Sequence, residues 1–200
     1  MQIIGLVGGI GSGKSTVARL IGRQAGVTVI DADRLGHETL RQEEVKTLVR
    51  TQWGDAPFGA DGEIDRRKMA GIVFSGSEEG STNLERLNNI SHPRITELLK
   101  NYLEIARTNA MRLVLLDAPL LLEGKWDRFC DGMIYVDSPL PVRIARVLAR
   151  GWTPEEFQAR TANQLPLDVK RKASQFVIEN DCSLVELEQR VGDLMQRIVD

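Results

Sequence analysis

The sequence predicts an α/β fold, a mainly parallel sheet covered by helices, and three observations carry that prediction. Apolar runs of strand length recur along the chain: QIIGLV at 2–7, VTVIDAD at 27–33, RLVLLDAP at 112–119, GMIYVD at 132–137 and QFVIEN at 175–180. They are rich in Val, Ile and Leu and mostly lack polar alternation, as strands covered on both faces do. Segments with helical spacing separate them, so the chain returns five times to one sheet through βαβ units. A composition of 42% hydrophobic and 27% charged residues over 200 positions suits a globular chain with a sizeable core.

Each element has a local warrant. After the first run, Val17, Leu20 and Ile21 follow helical spacing, and Gly26 supplies a stop. Residues 36–111 are too long for a crossover helix and read as a helical subdomain inserted beside the sheet. Within it, SHPRITELLKNYLEIARTNA predicts a helix starting near Ser91. Pro93 falls in its first turn, and Ile95, Leu98, Leu99, Tyr102, Leu103 and Ala106 share one apolar face. Residues 139–150 read as a basic helix. The polar, basic stretch 151–172 reads as a mobile cover. The chain is thus expected to be one domain: a core of about 1–35, 112–150 and 173–200, a helical subdomain of about 36–111, and a lid of about 151–172.

Bulk properties exclude several classes. A formal net charge of −2 provides no basic field for a broad nucleic-acid surface. Trp53, Trp126 and Trp152 do not interleave with basic residues, which argues against stacking on single strands. Cys130 and Cys182 have no metal-ligand spacing, and His37 and His92 form no spaced cluster. No apolar run approaches the roughly 18 residues that span a bilayer, and the N-terminus lacks a leader pattern. A cytoplasmic protein with no membrane or nucleic-acid partner, monomeric or a small homo-oligomer, is expected.

Gly8–Ser15, GGIGSGKS, fits the pattern of glycine, four residues, glycine, lysine, then serine or threonine, and it lies between a buried strand and an amphipathic helix. Without Cβ atoms the backbone can curl so that successive N–H groups face phosphate oxygens, and the following helix adds its positive end. Gly11, Ser12, Gly13, Lys14, Ser15 and Thr16 are therefore the expected ATP-binding residues. Lys14 supplies charge to the terminal phosphates, and the Ser15 hydroxyl is a ligand for Mg2+. The fold class becomes that of a phosphate-loop NTPase. Asp33-Arg34-Leu35-Gly36 spells the D-x-x-G of a GTPase, but it follows Lys14 too closely and no N-K-x-D reads guanine. A motor ATPase would need more chain. A small-molecule kinase needs an acceptor pocket, a carboxylate near the acceptor hydroxyl and cations over the transferring phosphate, and this chain has candidates for all three.

At this point the residues resemble the dephospho-coenzyme A kinase family. GLVGGIGSGKST resembles its opening loop, and VIDAD at 29–33 its carboxylate at the acceptor site. NNISHPRI at 88–95, DAPLLLE at 117–123 and ARTANQLPLDVKRKASQFVIEN at 159–180 are similar to its later segments, in order through nearly the whole chain. The resemblance implies transfer of the γ-phosphoryl group of ATP to the ribose 3′-hydroxyl of dephospho-CoA. It also implies a fold like nucleoside monophosphate kinases, with a substrate-binding helical subdomain and a lid. Another small-metabolite kinase, or a nucleotide-responsive binding module, is the alternative.

Asp33 is the candidate for orienting or deprotonating the acceptor hydroxyl, from its place at a strand's C-terminal edge. Asp31 shares the same face of an ideal strand, a helix cap is the structural reading, and the resemblance favours Asp33. Asp117 ends an apolar strand, as a magnesium-organising carboxylate does, or serves a structural or acceptor-side role. Pro119 and Leu120 line the acceptor or belong to the core. Arg146 and Arg150 stand four apart, hence on one helix face, with Arg143 three before Arg146. Position and resemblance make Arg146 the cation over the migrating group, and Arg150 a nucleotide ligand. The RGW that follows departs from the family pattern. Asn180 contacts adenine or terminates a turn, and His92 lines the acceptor site or caps a helix.

Overall fold

The structure is a computed structural model that describes residues 1–75 and 78–199. Residues 76, 77 and 200, inside the expected subdomain and core, lie outside the described residues. The elements in chain order are β1 (Gln2–Gly8), α1 (Lys14–Gly22), β2 (Val27–Asp31), α2 (Ala32–Leu40), α3 (Glu43–Trp53), α4 (Arg66–Val73) and α5 (Glu78–Thr108). Then follow β3 (Leu113–Asp117), β4 (Gly132–Asp137), α6 (Leu140–Leu148), α7 (Pro154–Ala162), α8 (Leu167–Lys172), β5 (Phe176–Glu179) and α9 (Leu184–Val199). Two compact units emerge, one of Met1–Asp31 with Tyr102–Asp200, the other of Ala32–Asn101.

In the first unit the five strands form one sheet in the order β2-β3-β1-β4-β5, every neighbouring pair parallel. β1 occupies the centre, so both its edges are bonded, and Ile3 through Gly8 are all buried. That explains why its sequence shows no alternation. Val17, Leu20 and Ile21 of α1 and Leu187, Val191, Leu194 and Ile198 of α9 pack with Ile4, Leu6, Leu115, Ile134 and Ile178 in one apolar cluster. This packing fixes the start of α1 beyond the end of β1.

The second unit has its own core, Val45, Val49, Phe58, Ile64, Met69 and Val73, joined by Leu40, Trp53, Leu84, Leu87 and Ile90. The Asp65 side chain caps α4, accepting from the Arg67 and Lys68 amides at 2.8 and 3.2 Å. Those bonds hold its carboxyl below the usual carboxylate range.

Two expectations are corrected here. The strand predicted to run to residue 33 stops at Asp31, and Asp33 lies in the first turn of α2. Asp31 and Asp33 therefore do not project from one strand face. An acid in a first turn is favoured by the helix dipole. Nor does a helix begin near Ser91. Pro93 lies inside the 31-residue α5, and His92 precedes it in mid-helix. An interior proline costs about 3 kcal/mol. Leu84, Leu87 and Ile90, packed against the second core, hold the upstream turns in place against that cost.

His92 is half-buried, and desolvation pushes its pKa below the ordinary 6.5. The unfolded chain then takes up the proton more readily than the folded one, so stability is full above about pH 6.5 and falls as the pH drops toward the lowered folded value. Urea unfolding between pH 7.5 and 5.5 should show this decline in the wild type. The slope should be smaller in His92→Gln.

Candidate active site

Between β1 and α1 the chain bends through Gly11 at φ 80° and Gly13 at φ 87°, both in the left-handed region that favours glycine. The neighbourhood is as restrictive as the dihedrals. A Cβ on Gly11 would meet the Arg143 carbonyl oxygen at 2.5 Å, and one on Gly13 would collide with the Asn180 amide nitrogen. The Ser12 amide donates to the Gly9 carbonyl at 3.0 Å, closing the turn, and α1 then opens at Lys14 with Ser15 exposed.

The loop is held from its carbonyl side. Asn180, only 4% exposed just past β5, donates from Nδ2 to the Ser12 carbonyl at 2.7 Å. Arg146 on α6 donates from Nη1 to the carbonyls of Ser12 at 3.1 Å and Gly11 at 3.3 Å. Its Nη2 donates to the Asn180 backbone carbonyl at 2.9 Å and to Oδ1 at 3.3 Å. Ser138, buried just after β4, places its hydroxyl 2.6 Å from the same Asn180 carbonyl and 3.1 Å from Arg146 Nη1. Three strand ends thus meet on the back of one loop. Acting directly on a migrating phosphoryl group would require Arg146 to release these partners.

Lys14 forms an ion pair with Asp117, the last residue of β3. Leu6 of β1 and Asp31 of β2 stand in register with Asp117 on either side, so the carboxylate lies at the C-terminal end of the central strands. Ligands bind at that end in open parallel sheets. Lys14, Ser15, Asp117, Arg146 and Asn180 thus belong to one unit and gather around the loop. Thr16 follows in α1, its amide donating to Gly13 at 2.9 Å. Asp33 and His92 belong to the other unit.

Arg150 is corrected. α6 ends at Leu148, so Arg150 is exposed beyond the helix and does not share a helical face with Arg146. Gly151 at φ 83° makes the stop, its amide donating to Leu148 at 2.9 Å. The RGW departure is therefore a glycine C-cap. The Arg160 guanidinium lies 4.1 Å from the centre of the Trp152 ring.

The expected lid is two helices, and the second is tied down by residues that sequence reasoning missed. Lys170 on α8 is fully buried. Its Nζ meets the Pro119 carbonyl at 2.9 Å, Glu123 Oε1 at 3.0 Å and Gln164 Oε1 at 3.4 Å, one acceptor for each of its protons. Glu123 Oε1 also accepts the Leu165 amide at 2.8 Å. Pro119 thus presents its carbonyl to Lys170, Leu120 beside it is half-buried, and Leu121 is core. Nothing in DVKRK distinguishes Lys170 from a solvated basic run.

A glycine-rich turn that opens a helix off the central parallel strand, with its lysine on the neighbouring strand's terminal aspartate, defines a phosphate-loop kinase site. The family model described as dephospho-CoA kinase matches residues 2–186. The chain belongs to the dephospho-CoA kinase family. A dephospho-CoA kinase of Thermus thermophilus is 41% identical over 199 residues, covering 98% of this chain and 91% of the relative. A crystal structure from Thermus thermophilus superposes with a TM-score of 0.81 at 37% identity, covering 100% of this chain and 98% of that one. A shikimate kinase from Acinetobacter baumannii, at 17% identity and a TM-score of 0.54 over 100% of this chain and 93% of its own, shares the fold.

Replacing Lys170 with Met leaves Glu123, whose side chain is 18% exposed, without its cation, which should cost up to about 3–5 kcal/mol. Chemical denaturation should show that loss in Lys170→Met. The double variant Lys170→Met, Glu123→Gln, which removes the stranded charge, should recover at least half of it.

Proposed function

We propose that this chain transfers the γ-phosphoryl group of ATP to the 3′-hydroxyl of the ribose of dephospho-CoA, giving coenzyme A and ADP. Family membership over residues 2–186 supports the acceptor. The observation that carries the donor side is the loop itself, bare at Gly11 and Gly13 and bonded through its carbonyls to Asn180 and Arg146. A trans peptide sets each N–H opposite the preceding C=O. A Ser12 carbonyl turned back onto Asn180 therefore turns the Gly13 amide outward, where phosphate oxygens would be met.

The roles follow from the chemistry available. Lys14 binds the β- and γ-phosphates as a point charge, with Asp117 holding its ammonium in place beforehand. Arg146 and Asn180 position the loop. Asp33, in the first turn of α2, is assigned to the acceptor hydroxyl, accepting its proton as charge develops on oxygen. His92 is assigned to the acceptor side, and its burial favours the neutral imidazole.

Magnesium fits the donor set. Ser15 and Asp117 offer one hydroxyl and one carboxylate, and among the described residues no cluster of three His, Cys, Asp or Glu side chains makes a cage. Two protein oxygens suit an ion that keeps its waters and arrives with the nucleotide. Bound there, it would offset charge on the phosphates. Dephospho-CoA as small-molecule partner, cytoplasmic location and a monomeric or small homo-oligomeric state complete the reading. Among the described residues no helix is long and apolar enough to cross a membrane.

Purified protein given ATP, magnesium and dephospho-CoA should form coenzyme A, and a panel of other alcohol acceptors should not be phosphorylated comparably. Lys14→Ala and Asp33→Ala should each lower kcat by about 10²-fold or more, with the unfolding midpoint of Asp33→Ala near wild type and that of Lys14→Ala lowered, because Asp117 is left without its cation. ATP binding without phosphorylation of any acceptor would leave only a nucleotide-binding module. Full activity of Asp33→Ala would remove the acceptor-side assignment.

A further inference from the structure

One cation beside the loop lacks the partners that its burial demands. Arg143 on α6 is only 6% exposed. Its Nε is buried with no hydrogen-bond partner, and Nη1 reaches the Ile10 carbonyl only at 3.5 Å, the outer limit for such a bond. Its guanidinium carbon stands 5.8 Å from the centre of the Phe157 ring of α7. Among the described residues no carboxylate pairs with it. Lys170 shows how this unit satisfies a buried cation that serves structure, with one acceptor per proton and a carboxylate among them. Burying a charge is costly unless it is paired and bonded, and one long bond with a distant ring does not offset that cost.

Location says what completes it. A Cβ on Gly9 would run into Nη1, so the guanidinium presses on bare backbone at the beginning of the loop. Asn180 and Arg146 occupy the other end, at Gly11–Gly13. A nucleoside triphosphate laid along the loop with its base toward Asn180 carries its last phosphate toward Gly9. The planar fork of a guanidinium matches two phosphate oxygens at once.

We propose that Arg143 binds the terminal phosphate of the nucleoside triphosphate, its buried charge completed by that anion. The proposal rests on the loop's being the ATP site and deepens that reading. It gives the three basic residues of α6 and its end separate tasks: Arg143 on the phosphate, Arg146 on the loop, Arg150 outside the helix.

Isothermal titration calorimetry with the β,γ-imido analogue of ATP and with ADP, magnesium present, tests it on the full chain. Arg143→Gln should weaken the triphosphate analogue by about tenfold or more and ADP by less than threefold, the scale of one charge-assisted bond. The nucleotide-free variant should melt at or above the wild-type temperature, because a poorly paired buried charge has been removed. Arg143→Lys, which keeps the charge but not the fork, should lose several-fold for the triphosphate alone. Equal weakening of both nucleotides, no weakening, or a nucleotide-free Arg143→Gln that is destabilised or unfolded would each overturn the proposal. Wild-type protein that binds the analogue yet phosphorylates no dephospho-CoA would remove the acceptor assignment and leave this one standing.

Discussion

The carbonyl oxygen of Ser12 accepts from Asn180 Nδ2 at 2.7 Å and from Arg146 Nη1 at 3.1 Å, one donor for each lone pair. Ser138, with a single proton and the Asn180 carbonyl closer at 2.6 Å, leaves the oxygen to those two. Because the peptide is planar, fixing that carbonyl fixes the direction of the Gly13 amide behind it. A glycine-rich turn left to itself has conformational freedom to lose when it closes around an anion. Here the loss has been met in folding, by side chains delivered from the ends of β4 and β5 and from α6. The anion-binding face is thus defined by what is bonded on the opposite face.

The sheet order makes this possible. β1 lies between β3 and β4, so its terminal loop has Asp117 on one side and Ser138 and α6 on the other. Any strand order that separated β1 from β4 would remove Ser138 and Arg146 from Ser12. The lysine that follows the loop falls on the opposite flank, against Asp117. Apolar packing of α1 on α9 and the sheet sets where that helix begins. Core burial thereby carries a geometric consequence at the site.

The five strands were legible because strands covered on both faces write continuous apolar runs, and the loop because close approach to phosphate demands absent side chains at fixed spacing. Less was legible wherever a residue's neighbour is distant in the chain. VTVIDAD reads as one strand through Asp33, since nothing in it announces that pairing with β3 ends at Asp31. Pro93 reads as a helix start because local preference says so, whereas tertiary packing of Leu84, Leu87 and Ile90 runs α5 through it. Arg146 and Arg150 read as a pair at helical spacing, until Gly151 stops the helix between expectation and fact. Asn180 carries the loop through a contact spanning 168 positions, which no periodicity can encode.

Two buried cations of the same unit separate structure from function by their surroundings. Lys170 is surrounded by a carbonyl, an amide oxygen and a carboxylate, so its burial is complete without any other molecule. It binds α8 and the α7–α8 connection to the segment after β3. Arg143 has no such set, with its Nε unpartnered and only the Phe157 ring at 5.8 Å and one long bond to the Ile10 carbonyl beside it. A charge kept out of water with its Nε unpaired is a charge kept in readiness, since its desolvation has been met before any ligand arrives. The difference between the two residues is therefore not burial, which they share, but whether the protein itself supplies the counter-charge.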